Sequence, residues 1–147
     1  MVRSRMRYAR AFLPLLSVLV ACSAVTPSDA EYQRFPSHLT TLSGQPSITA
    51  PDTVAVNAAF TVTVYTAGGG CTRQGETETS VAGLVAELRP FEYYINPSAA
   101  IACTADFRSL PHTASVTFAQ TGRATIRAIG RKSDGEQQVY ERQILVR

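Results

Sequence analysis

FTVTVY, residues 60–65, alternates apolar and polar side chains with a period of two. In an extended chain, Phe60, Val62 and Val64 fall on one face, and the residues between them fall on the other. Valine and threonine are β-branched and favour strands, because their side chains pack well on a pleated surface. The stretch therefore predicts a β-strand with one buried face.

The same alternation recurs in later parts of the chain. The further alternating stretches are LVAELRP (84–90), HTASVTF (112–118), RATIRAI (123–129) and VYERQILVR (139–147). Turn-forming residues separate them: GGG at 68–70, INPS at 95–98, TG at 121–122 and SDGE at 133–136. SDGE lies between two alternating stretches and so predicts a β-hairpin. No stretch from residue 22 onward has a convincing helical period.

Strands with one apolar face must bury that face against another layer of structure. Residues 47–147 have room for about six to eight such strands. We therefore predict an all-β fold, a single antiparallel β-sandwich formed by residues 47–147. A small β-barrel is the alternative, because closing one sheet on itself buries the same faces.

Two stretches resemble parts of bacterial immunoglobulin-like or fibronectin-type domains. SITAPDTVAVNAAFTVTVY (47–65) resembles their proline-broken first strand and long second strand. VTFAQTGRATIRAIG (116–130), followed by VYERQILV (139–146), resembles their last three strands. The resemblance implies an immunoglobulin-like sandwich. Unlike antibody-type domains, the chain has no tryptophan, and its later cysteines lie in turn-like stretches.

The N-terminus has the three-part layout of a secretory signal peptide. Four arginines in the first ten residues precede the apolar run AFLPLLSVLVA, residues 11–21, and small residues follow. A transmembrane helix needs about 20 predominantly apolar residues. Here Pro14 interrupts the run, and polar residues begin at Ser23. We therefore interpret residues 1–21 as a cleaved export signal.

The end of that signal, Leu19 to Cys22, resembles the lipobox of bacterial lipoproteins. The resemblance implies cleavage before Cys22, a diacylglycerol on its sulfur, and a membrane anchor in the cell envelope. Ser23 in place of aspartate favours the outer membrane, or otherwise a periplasm-facing position. Cleavage after Ala24 or Ala30 is the alternative, and it would release a soluble periplasmic or secreted protein.

The net charge of the chain depends on this signal. The whole sequence has 14 basic and 11 acidic residues. Four of the basic residues and none of the acidic ones lie in the signal, so ten basic residues stand against eleven acidic ones from Cys22 onward. The alkaline pI therefore comes from the signal, and we expect no nucleic-acid partner.

With Cys22 acylated or removed, Cys71 and Cys103 remain as the two cysteines of the exported chain. Two cysteines in an oxidising compartment are expected to form a disulfide. Free thiols or a metal pair are the alternatives. Neither cysteine belongs to a CxxC motif, and the exported chain has only His38 and His112, so we predict no metal site and no cofactor.

Residues 22–46 are rich in serine, threonine and proline and have no sustained period. They predict a lipid-anchored flexible tether between membrane and domain. The alternative is a partly ordered arm that packs Tyr32 and Phe35 on the domain.

The sequence offers little for catalysis. His112 is the only histidine of the predicted domain, and it begins an alternating strand, which favours a structural role. Glu76 and Glu78 would share one face of an extended ETETS, as the carboxylate pair of a glycosidase would, and a solvated strand face is the favoured alternative. None of the common nucleophile, zinc-protease or phosphate-loop motifs is present, so we predict no catalytic residues.

FEYYIN, residues 91–96, concentrates aromatic side chains near a proline-bounded turn. Exposed tyrosines provide contact area at low entropy cost, so Tyr93, Tyr94 and Arg73 are the candidate binding residues. The favoured alternative is that Phe91 and Tyr93 pack inward. We expect a non-enzymatic envelope lipoprotein with a binding, adhesion or structural module and an unidentified protein or glycan partner. A soluble ligand-binding or inhibitor-like protein is the second possibility.

Overall fold

The computed structural model describes residues 32–39, 44–95 and 102–147, so the predicted signal and Cys22 lie outside it. This part of the chain forms nine strands. They are β1 (Tyr32–Pro36), β2 (Ile48–Thr49), β3 (Thr53–Val54), β4 (Phe60–Gly69), β5 (Thr72–Ala82), β6 (Val85–Ile95), β7 (Phe107–Val116), β8 (Gly122–Arg131) and β9 (Gln137–Val146). None of the described residues forms a helix long and apolar enough to cross a membrane.

The strands form two sheets, and neither closes into a barrel. The larger sheet has the order β1-β6-β8-β9-β3, with β5 on the other edge of β6, and the smaller sheet has the order β2-β4-β7. Most pairings are antiparallel, whereas β6 with β8 and β3 with β9 are parallel. The predicted all-β sandwich is confirmed. Two of the nine strands, β2 and β3, have only two residues each.

The alternating stretches supply the core between the sheets. Val62 and Val64 of β4 are fully buried and Thr61 is exposed, as predicted for FTVTVY. The predicted hairpin at SDGE joins β8 to β9, which pair along their whole length. Other side chains that are fully buried in the core include Leu88, Val116, Phe118 and Ile126. Burying each such aliphatic or aromatic side chain contributes roughly 1.5–3 kcal/mol relative to leaving it exposed.

Residues 32–39 belong to the folded unit. β1 pairs antiparallel with the last five residues of β6, from Tyr32 opposite Ile95 to Pro36 opposite Phe91. β8 pairs with the first part of the same edge of β6, so β1 continues the sheet beyond the end of β8. Leu39 then reaches the core and is 2% exposed. For residues 32–39 the structure thus differs from the predicted tether and matches the arm alternative; residues 22–31 and 40–43 lie outside the described residues.

Gly130 near the end of β8 allows this arm to pack closely. A Cβ atom there would lie 2.5 Å from the carbonyl oxygen of Ser37 and 2.7 Å from Cγ of Leu39. We expect Gly130→Ala to lower the free energy of unfolding by about 1–3 kcal/mol, because overpacking forces the backbone apart. Urea unfolding measures this change, and Ser133→Ala in the adjacent turn is the control. An unchanged midpoint for Gly130→Ala would show that the arm does not pack on β8.

Candidate functional site

One end of the sandwich carries the predicted disulfide. Cys71 and Cys103 are bonded, with their Cα atoms 5.1 Å apart, which confirms the predicted pairing. The bond links the start of β5 to the segment before β7. β4 and β6 finish at this end, and β1, β5 and β7 begin there. We call it the disulfide end.

Next to the disulfide, arginines and aromatic rings alternate on the outer face of the larger sheet. Tyr93 in β6 lies between Arg34 of β1 and Arg73 of β5 in the strand register. The guanidinium of Arg73 lies 3.8 Å from the centre of the Tyr32 ring, and that of Arg34 lies 3.3 Å from the centre of the Phe91 ring. Both contacts have cation–π geometry, so the rings are held in place.

Arg34 also contacts both carboxylates of the ETETS stretch. Its Nε contacts Glu76, and its Nη2 lies 2.6 Å from Oε1 of Glu78. Tyr93 donates a hydrogen bond from its hydroxyl to Glu76 Oε2 at 3.0 Å. A backbone hydrogen bond and then Arg34 hold the pKa of Glu76 below its usual value. A glycosidase acid needs a raised pKa, so the surroundings of Glu76 favour an ion pair over that role.

Two of the three candidate binding residues meet at one cavity. Arg73 and Tyr93, with Tyr32 and Gln74, line a cavity of about 370 Å³. That volume lies within the range of small-molecule sites, about 300–1,000 Å³. Tyr94 does not join them. It is one residue further along β6, so its side chain leaves on the opposite side of the sheet.

Tyr94 lines a second cavity of about 210 Å³ at the disulfide end. Phe35, Phe107 and Glu92 line it too. Glu92 faces the core, because Thr66 of the other sheet donates a hydrogen bond to it. The favoured interpretation that Phe91 and Tyr93 pack inward is therefore wrong: both are half-buried on the outer face, and the residue between them is buried.

Sequence reasoning missed this buried polar group. Thr66 Oγ1 lies 2.6 Å from Oε1 of Glu92, and Nε2 of His112 lies 3.9 Å from the same oxygen. Burial raises the pKa of Glu92 and lowers the pKa of His112 to about 4. Both shifts favour the neutral forms, because desolvation penalises charge. The alternation of Phe91, Glu92 and Tyr93 was the available signal. Successive side chains of a strand point to opposite faces, so Glu92 lies on the face away from both rings.

The geometry of this group does not form a nucleophile–base pair. The Thr66 hydroxyl is directed to Glu92 and to the carbonyl of Leu110 at 3.4 Å, not to His112. His112 lies inside β7, and its Nδ1 is 3.4 Å from Thr77 Oγ1. An activated nucleophile needs its base within about 2.6–3.2 Å, or somewhat more in an unliganded protein. The cluster therefore fits a polar core better than a catalytic site.

Among the described residues, no three His, Cys, Asp or Glu side chains come together to hold a metal ion. No protein-family model, curated protein or solved structure matches the chain. Function is therefore inferred from the chain's own residues.

Proposed function

We propose that this protein is an exported, lipid-anchored component of a bacterial cell envelope. Its sandwich acts as a non-enzymatic binding or structural module, related in plan to immunoglobulin-like or fibronectin-type domains. The observation that carries the proposal is the bond between Cys71 and Cys103. The chain has three cysteines, so this bond leaves Cys22 alone, at the end of the signal-like segment.

The disulfide supports export. Structural disulfides persist in oxidising compartments and are rare in the cytosol of most organisms. Lipidation then accounts for the position of Cys22 after Leu19, Val20 and Ala21. One acyl chain holds a protein at a membrane weakly, whereas two or three hold it durably, at roughly 0.8 kcal/mol per buried CH₂. The alternative, a soluble periplasmic or secreted protein, uses the same disulfide without the anchor.

The surface at the disulfide end supports a binding role. Tyr93 and Tyr32 lie beside arginines in a cavity. Their contacts already restrict these side chains, so ligand binding would lose less conformational entropy. Tyrosine and arginine are enriched at binding hot spots. Nearby, Arg34 forms ion pairs with Glu76 and Glu78, which fits recognition better than acid–base chemistry.

Metabolic labelling with a clickable palmitate analogue in a bacterial host tests the anchor. The wild-type protein is expected to carry the label, and Cys22→Ala is expected to lose it, because the acyl acceptor is gone. Cys71→Ser is the matched control and keeps the label, since that cysteine belongs to the disulfide. Equal labelling of wild type and Cys22→Ala, or no labelling of either, would contradict lipidation and favour the soluble alternative.

A further inference from the structure

We propose that the disulfide end rests on the membrane that holds the protein's own anchor, with Phe107 and Tyr94 in the lipid headgroup layer. This inference rests on the proposed lipidation of Cys22. The aromatic surface of the disulfide end then binds a lipid surface and not a protein or glycan.

The position of β1 sets how far the domain can lie from the anchor. Nine residues separate Cys22 from Tyr32. Even fully extended, they span at most about 35 Å, at roughly 3.3–3.6 Å per residue. That is close to the length of a single ten-residue strand, about 33 Å. If the fold began at residue 47, the same length per residue would allow roughly 85 Å between Cys22 and the domain.

The chain that follows Cys22 joins the sandwich at the disulfide end. Tyr32 is the first residue of β1, and it pairs with Ile95 at the end of β6. The disulfide end is therefore the part of the sandwich nearest to the acylated cysteine. The opposite end, where the turn between β5 and β6 lies, is farther away by the length of the long strands.

This end displays the most exposed large apolar side chain of the described residues. Phe107 is 62% exposed and Tyr94 is 42% exposed. The two side chains line the same cavity, so they form one aromatic surface. Phenylalanine rings insert at the boundary between lipid headgroups and acyl chains, and tyrosine rings do so with the phenol hydroxyl among the headgroups. Removal of these rings from water favours contact with the bilayer.

The charges nearby are compatible with that contact. Arg108 is half exposed beside Phe107 and donates a hydrogen bond to the carbonyl of Thr72 at 3.0 Å. Asp106 lies 4.0 Å from Arg108. Glu92 also lines the cavity, but burial raises its pKa and favours its neutral form. Arg108 and the cavity residue Arg131 fit a membrane surface that is neutral or anionic, because cationic side chains are attracted to anionic headgroups.

The chain has no tryptophan, so a single one can report on this contact. Phe107→Trp places the reporter at the disulfide end, and Tyr94→Trp is a second variant at the same surface. Val81→Trp is the matched control, because Val81 is 43% exposed near the turn between β5 and β6. Each lipidated full-length variant is reconstituted in phosphatidylcholine vesicles, with or without a minority of phosphatidylglycerol. Emission maxima, iodide quenching and quenching by brominated lipids are measured.

We expect Phe107→Trp and Tyr94→Trp to show a blue-shifted emission in vesicles, loss of iodide quenching and quenching by the brominated lipid. Val81→Trp should keep solvent-like emission. Solvent-like emission from all three would overturn membrane docking and leave the surface open to a protein or glycan. Mass spectrometry of the same samples reports acylation separately. If acylation is absent, the anchor proposal fails, and vesicles added to the soluble variants still decide whether the surface contacts lipid.

Discussion

Replacing Cys71 and Cys103 together by serine is expected to lower the free energy of unfolding by about 3–4 kcal/mol. The bond closes a loop with a sequence separation of 32 residues. Its loss releases that loop in the unfolded chain, which raises the entropy of unfolding. It also frees the segment that leads into β7. Urea unfolding of the oxidised wild type and the double variant measures the difference.

Reduction of the wild type with dithiothreitol should reproduce the loss, because it breaks the same bond without changing side-chain volume. The double variant should not respond to the reductant. A wild type whose urea midpoint is unchanged by full reduction would contradict a stabilising role for the disulfide. Labelling of Cys71 by an alkylating agent before reduction would contradict the bond itself.

Acidification from pH 6.5 to pH 4 is expected to reduce the free energy of unfolding by about 3 kcal/mol through His112. Burial lowers the pKa of His112 to about 4 in the folded protein, whereas a histidine of the unfolded chain titrates near 6.5. Between these values the unfolded state binds more protons, so stability falls as pH falls. The slope approaches about 1.4 kcal/mol per pH unit.

Glu92 faces His112, and its effect on the pH dependence of stability opposes that of His112. Burial raises the pKa of Glu92. Its contribution is therefore present below the unfolded value near 4.5 and is lost as pH rises through the folded value. Above about pH 4.5 the Glu92 contribution falls as pH rises while the His112 contribution rises, so the net fall in wild-type stability on acidification is smaller than the His112 share alone.

Urea unfolding over a pH series tests the contribution of His112 to the free energy of unfolding. His112→Asn should remove or reverse the fall of stability between pH 6.5 and 4, because an amide does not titrate there and the opposing Glu92 contribution is left. His38→Asn is the matched control. Burial and then Arg131 lower the pKa of His38 too, but it is less buried than His112, so most of the slope should remain. Equal slopes in wild type and His112→Asn would contradict a buried neutral imidazole.

The sequence predicts the strands that bury one face and expose the other to solvent. FTVTVY and RATIRAI alternate because β4 and β8 each bury every second side chain. β5 was harder to recognise, because its residues from Glu78 to Ala82 are exposed on both faces and have no apolar period. The sequence predicts a tether where β1 lies, because Tyr32 and Phe35 do not alternate. Its position depends on a distant feature, the open edge of β6 beyond β8, which no local pattern reveals.

The candidate site was partly predictable for the same reason. Arg73 and Tyr93 meet because they are register partners in β5 and β6, and register is a long-range property. Tyr94 is separated from them by the period of two, which the sequence does contain. The buried contact of Glu92 with Thr66 joins two sheets across the core, so only the three-dimensional structure reveals it.

Mass spectrometry of the mature protein, isolated from a bacterial membrane fraction without reduction, tests the central claim most directly. The account predicts an N-terminal peptide that begins at Cys22 and carries diacylglycerol, together with a cross-linked peptide containing Cys71 and Cys103. An unmodified N-terminus at Val25 or Glu31 would contradict the lipid-anchored envelope protein proposed here.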